Sequence, residues 1–387
     1  MQSRRLAAIL AVVAVGLAAC SSGSSAAPST GASAGASAGA SDCTIAVSWN
    51  NYQQPRWAAA DEPNIKKTVE DAGGTYISKD ANLSNEQQAT DVSTLISQGA
   101  DVLILLAQDT TAILPTLQVA KDAGVPVIAY DRLIEDPDIL YITFDNVKVG
   151  EAEAAAVLDK VPTGNYVLIK GDPGDPNAST FLPQGWDDAG LADKVASGDI
   201  TIIGPAEGTY TDAWATETAQ ANMEAIIDSA VSANTPIDAI LAENDSTALG
   251  VVAALTAKNY GYPPLSGQDG DKANLNNVAL GKQYVDVWKN ANELGKAAAQ
   301  AALQLCQGTA MSDLSINIDS SVAPEAGNAP TDFTTPGDNT VKSFILKPTP
   351  ITAENLTDVM NAGWWVTKDD ICQGVTSSDP GAAACGV

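Results

Sequence analysis

From Thr44 onward, short continuous apolar runs alternate with longer stretches in which apolar positions recur at helical spacing. A run with no polar position has no side to turn toward water, so it reads as a strand covered on both faces. The run 127–130 is of this kind, and strand candidates fall at 44–48, 75–78, 101–107, 126–130, 140–144, 166–170, 200–203, 239–242, 265–267 and 284–288. Helical patterns lie between most of them, as at 86–97, 111–123, 147–158, 213–229, 246–258 and 292–305. Strand and helix in regular alternation predict an α/β fold with parallel sheets of the doubly wound kind. The runs are more than one sheet usually holds, and the connection changes near Asp145, which predicts two such sheets facing each other.

The polar residues at the end of each run are as informative as the run itself. The apolar stretch 127–130 ends on Asp131-Arg132, and 141–144 ends on Asp145-Asn146. In open parallel sheets the C-terminal strand ends line the ligand crevice. An Asp beside an Arg supplies acceptors and a forked donor within one residue, which suits a ligand rich in hydroxyls. An isolated Asp-Arg is more simply a loop ion pair, but the pattern repeats. Asp175-Pro176-Asn177 comes after 166–170, Asn244-Asp245 after 239–242, Gln268-Asp269 after 265–267 and Lys289 after 284–288. Asn and Asp also cap helices, and Asp245 before Ser246 and Asp145 before Val147 are expected in that role. A cap does not require Arg132 or Lys289. Trp57 and Trp214 stand in polar neighbourhoods, where an aromatic ring either lies against the C–H face of a bound ring or packs into a core. Trp364-Trp365 is expected on the outside of a lobe.

Charge and composition narrow the chemistry. The formal net charge is −27, which argues against nucleic acid, since a phosphate backbone requires a basic footprint. There is no histidine, which removes Ser-His-Asp catalysis and His-ligated zinc. No cofactor is implied. A carboxylate-pair glycosidase remains open, because Asp131, Asp145, Asp245 and Asp269 can be placed facing one cleft. Arg132 and Lys289 oppose that reading: cations beside carboxylates keep them ionised and spoil a general acid.

The N-terminus reads as a targeting segment. Arg4 and Arg5 precede an apolar run, 6–19, that is too short to span a bilayer and fits a signal-peptide core. Leu17-Ala18-Ala19-Cys20 resembles the lipobox of bacterial lipoproteins, which implies a lipidated Cys20 as the first mature residue. Residues 21–41 are almost only Ser, Gly and Ala, a tether with a reach of roughly 25 Å. The folded body is thereby expected outside the cytoplasm, anchored to a membrane. Four further cysteines fit an oxidising compartment and allow three connectivities. The short tail loop favours Cys372–Cys385, leaving Cys43–Cys306; no CxxC spacing supports a metal site.

The motifs VIAYDR (127–132), ITFDN with KVG (142–150), KVPTGNYVL (160–168), ENDSTA (243–248) and SGQDGD (266–271), in that order, are similar to the xylose-binding subgroup of the periplasmic sugar-binding proteins of ABC importers. The resemblance runs from 45 to 308 and resumes from 341 to 368. It implies the type I periplasmic binding protein fold: two Rossmann-like lobes joined by a three-strand hinge and closing over a sugar. The lobes are expected at 43–145 with 291–346 and at 146–290 with 347–370, with a disulfide-closed tail at 371–387. The implied ligand set is Arg56, Trp57, Asp131, Arg132, Asn177, Trp214, Asn244, Asp269 and Lys289. The implied function is a monomeric, non-catalytic receptor that hands a neutral monosaccharide, D-xylose or a related aldose, to an ABC permease. A sensor presenting the sugar to a membrane receptor uses the same cleft.

Overall fold

In the computed structural model, which describes residues 42–363 and 365–387, the strands run β1 (Thr44–Trp49), β2 (Thr75–Asp80), β3 (Val102–Leu105), β4 (Val127–Tyr130), β5 (Leu140–Phe144), β6 (Gly164–Ile169) and β7 (Ile200–Ile202). They continue as β8 (Ala239–Ala242), β9 (Gln268–Asp269), β10 (Asp286–Trp288), β11 (Thr331–Thr334), β12 (Thr340–Leu346) and β13 (Thr349–Ile351). The proposed leader and tether, with Cys20, lie outside the described residues, as does Trp364.

Two sheets result. The first has the order β11-β12-β5-β4-β3-β1-β2 and is parallel except for its edge strand β11. The second is built from β7-β6-β8 and β13-β10-β9, which a parallel bridge between Ile240 and Leu265 connects. Alternate residues of β1 explain why the runs carry no polar face: Ile45, Val47 and Trp49 enter one apolar cluster while Ala46 enters another on the opposite side of the sheet. The second sheet is likewise covered on both faces, with Tyr166 and Leu168 on one side and Val167 and Ile169 on the other.

The chain passes between the two sheets three times, at Asp145, at 289–290 and at 347–348. The helix Ala291–Cys306 packs back on the helix Glu62–Asp71 and on β3 of the first sheet. This run brings Cys306 beside Cys43 at the start of β1, and the two form a disulfide. Cys372 pairs with Cys385 in the tail.

Several boundaries differ from the expected ones. The continuous strands expected at 265–267 and 284–288 begin only at Gln268 and Asp286; before them Leu265 makes a single bridge to Ile240 and accepts from Tyr284 N, and both Leu265 and Val285 are buried. The helix expected from residue 213 starts at Thr216, since Ala213 and Trp214 hold φ of 56° and 58°, a left-handed turn that no helix accommodates. The stretch after Thr309 contributes β11 and β12, and with β13 these strands are not visible in the periodicity. Thr331–Thr334 is a half-exposed edge strand whose register is set by its antiparallel partner, a long-range fact. Trp365 is partly buried against the cluster of Leu275, Ile351 and Leu356.

Candidate functional site

The two halves meet where β1 and β4 of the first sheet face β6, β8, β9 and β10 of the second at their C-terminal ends. Each half opens its contribution with the same irregularity. A π turn, Trp57–Asp61, precedes the helix Glu62–Asp71, and a π turn, Asn177–Phe181, precedes the helix Leu182–Asp188. Such turns re-aim side chains at a helix start. Here they present Arg56 and Trp57 from one side and Asn177 from the other. Together with Gln54, Asp131, Arg132, Asp175, Trp214, Asn244, Gln268, Asp269 and Lys289, they line a space of about 270 Å³. All nine residues of the expected set are therefore brought together. Gln54, Asp175 and Gln268 were not in that set. Asp175 and Gln268 had been read as strand-end polar residues, whereas Gln54 had only its nearness to Arg56 as a signal.

Charges of both signs tie the cleft across its width. Arg56 is 1% exposed and makes two bonds to Asp61, Nε to Oδ2 at 3.2 Å and Nη2 to Oδ1 at 3.0 Å. Its Nη1 donates to Asp269 Oδ1 of the opposite half at 2.8 Å, and Asp131 Oδ2 lies 3.5 Å from Nη2. Lys289 stands 3.3 Å from Asp131 and 3.7 Å from Asp269. Arg132 Nε pairs with Asp175 at 2.9 Å, and its Nη1 donates to the carbonyls of Ala107 and Gln108. Burial opposes the charge on Arg56, but Asp61, Asp131 and Asp269 hold it protonated. Burial likewise opposes ionisation of Asp131, and Lys289, Arg56 and Arg132 outweigh it, so this carboxyl stays below its usual range. At Asp61 burial wins: the carboxyl is pushed up to about 6 despite Arg56 and a 2.6 Å bond from Tyr130.

Backbone strain accompanies these carboxylates. Asp131 and Asp269 hold φ of 63° and 113°, values an L-residue adopts only where its surroundings enforce them. At Asp131 the enforcement is visible: its N–H donates to Ile142 O at 2.8 Å, and its carbonyl accepts from Thr143 Oγ1 at 2.8 Å. Trp214 lies flat on Gly171, where a Cβ would come within 2.2 Å of the indole. Trp57 has the Arg56 guanidinium 4.2 Å over its ring and Trp49 at 6.3 Å. Both tryptophans belong at once to a lobe core and to the cavity wall, so the two roles weighed for them are not exclusive.

Of the two expected caps, one holds: Asp145 caps the helix Asn146–Lys160 by accepting from Lys148 N, and so does not face the cavity as the glycosidase alternative required. Asp245 neither caps a helix nor reaches the cleft. The cap of the helix Asp245–Ala257 is Asn244, whose Oδ1 accepts from Thr247 N, while Asp245 is buried below the Asp269 turn. The pairing also differs in detail: Lys289 stands on Asp131 and Asp269 as expected, but its companion there is Arg56, while Arg132 pairs with Asp175.

Two doubly wound halves that meet at a buried cleft of paired charges define a ligand-binding protein. Residues 45–310 match the family model described as a periplasmic binding protein domain, and the chain belongs to that family. It is 34% identical over 311 residues to the D-xylose-binding periplasmic protein of Escherichia coli (strain K12), covering 78% of this chain and 89% of that one. The D-xylose-binding periplasmic protein of Haemophilus influenzae is 33% identical over 267 residues, covering 68% of this chain and 77% of that one. Among solved structures, an ABC transporter solute-binding protein from Clostridium phytofermentans with bound β-D-glucose superposes with a TM-score of 0.73 at 30% identity, covering 85% of this chain and 99% of that chain.

Proposed function

We propose that this chain is the extracytoplasmic sugar-binding component of an ABC importer and that its ligand is a neutral aldopyranose, D-xylose first. One observation carries the choice of ligand. The cleft charges pair with one another, while among the lining residues the indole N–H groups of Trp57 and Trp214 lack an acceptor and Gln268 Oε1 and Asp131 Oδ2 lack a hydrogen-bond donor. A hydroxyl both donates and accepts, so a ring of hydroxyls meets all four needs without introducing a charge. A uronate would set its carboxylate against Asp131 and Asp269. The names of the two relatives, both D-xylose-binding, agree with this reading. Calorimetric titration against aldoses, uronic acids and amino acids tests it. Micromolar or tighter binding of an aldose is expected; binding of a uronate or amino acid with no response to any aldose overturns it.

Every lining residue named in the expected set is buried, so a sugar enters only if the halves part. The hinge reading takes 43–145 with 291–346 and 146–290 with 347–370 as lobes turning about the three crossings. Ligand contacts drawn from both lobes favour the closed form, so sugar shifts the population toward it. Small-angle scattering is expected to show a smaller radius of gyration at saturating sugar; an unchanged value counts against the hinge.

The anchoring reading places a lipid on Cys20 and the receptor, as a monomer, at the end of the 21–41 tether beside its permease. Replacing Cys20 with Ala is expected to release the protein from the membrane fraction with unaltered sugar affinity. Retention in the membrane refutes the anchor.

A further inference from the structure

Beneath the turn that carries Asp269 lie two carboxylates that the cleft does not use. Asp245 opens the helix Asp245–Ala257 and Asp286 opens β10, and both are completely buried. They converge on one donor. The Gly270 N–H lies 3.1 Å from Asp245 Oδ2 and 3.1 Å from Asp286 Oδ1, and the Asp271 N–H bonds the same Asp245 oxygen at 2.7 Å. The other two oxygens, Asp245 Oδ1 and Asp286 Oδ2, have no donor. The turn itself is tightly confined: Gly270 has φ of 86°, and a Cβ there would come within 2.4 Å of Trp288.

Among the described residues no cation compensates this pair. Arg56 and Lys289 are committed to Asp61, Asp131 and Asp269. The charged groups facing it are Asp269 on β9, Asp271 in the turn and Glu153 on the helix Asn146–Lys160, all of them acids. Arg56 acts on Asp271 from across the cleft, and Asp61 opposes it. Two carboxylates meeting in a dry site cannot both ionise without strong repulsion, and one shared proton removes it. In line with this, burial pushes Asp286 up to about 7 and Asp245 well above the carboxylate range.

We propose that Asp245 and Asp286 share one proton and that the protonated pair fixes the Gly270-Asp271 turn so that Asp269 is aimed at the ligand. The two are positioning residues for binding. When the proton leaves to solvent at alkaline pH, two negative charges repel under the turn, its N–H bonds rearrange and Asp269 moves off its partners. The inference rests on the proposed sugar-binding function for its readout.

The test is titration of D-xylose into the full chain from about pH 5.5 to about pH 9, with the Asp286→Asn and Asp245→Asn variants beside it, since an Asn mimics the protonated partner. The parent is expected to lose affinity by roughly threefold to tenfold per unit above neutral pH, and a folded Asn variant to give a flat profile over that range. Equal slopes in parent and variant, or a flat parent, overturn the proposal. Infrared difference spectra without sugar decide the proton separately: beside the Asp61 band, common to both proteins, a further protonated-carboxyl band that titrates near neutral pH is expected in the parent and not in Asp286→Asn, and identical bands in the two refute the shared proton. Failure of D-xylose to bind at any pH would instead count against the functional reading, with the infrared result still deciding the proton.

Discussion

Replacing Asp269 with Ala is expected to weaken sugar binding on the order of 30-fold to 1000-fold, equivalent to about 2 to 4 kcal/mol. Asp269 is the anion of the second sheet on which two cations converge, Arg56 at 2.8 Å and Lys289 at 3.7 Å. Without it, Arg56 loses its cross-cleft partner and Lys289 keeps only Asp131, so each hydroxyl placed between them loses an acceptor. The loss is expected in affinity more than in fold. Calorimetric titration of the variant reads the affinity and thermal unfolding reads the fold. An affinity close to the parent's would show that Asp269 does not touch the ligand.

Removing Arg56 is expected to damage both. The guanidinium is buried among Asp61, Asp131 and Asp269, and an Arg56→Met change leaves Asp61 without its cation and Asp131 and Asp269 with Lys289 alone. Breaking a buried pair by deleting one partner costs about 3 to 5 kcal/mol, because the remaining charge is stranded without water. The loss also has a pH signature. Asp61 already stands at about 6 with Arg56 present, and without that cation it rises further. A carboxyl whose folded value exceeds its unfolded value of about 3.9 binds more protons when folded, so stability falls as pH rises between the two values. The deficit of the variant is therefore expected to be largest at neutral and alkaline pH and to shrink as pH falls toward about 4. Urea unfolding at several pH values measures this. A midpoint that does not move, or a deficit independent of pH, would mean that Arg56 is not the counter-ion of the buried carboxylates.

Local pattern by itself determined the alternation of strand and helix, and with it the doubly wound halves. A run such as 127–130 carries its own instruction: with no polar face it is stable only when covered on both sides. The strand-end polar residues were legible for the same reason, because each must leave the sheet where its run stops. Composition removed histidine chemistry outright and argued against nucleic acid. The tertiary structure decided what spacing along the chain cannot encode. Edge strand β11 takes its register from β12, and β9 and β10 begin only where their pairing becomes continuous. Ala213 and Trp214 break a helical pattern because the indole must lie on Gly171. Above all, the partners of the cleft charges are long-range: Arg56 reaches Asp269, which is 213 residues away, and Arg132 turns to Asp175 although Asp131 is its neighbour in the chain. Side-chain chemistry shows which residues need a counter-ion, but only the packing of two sheets against each other selects which one each receives.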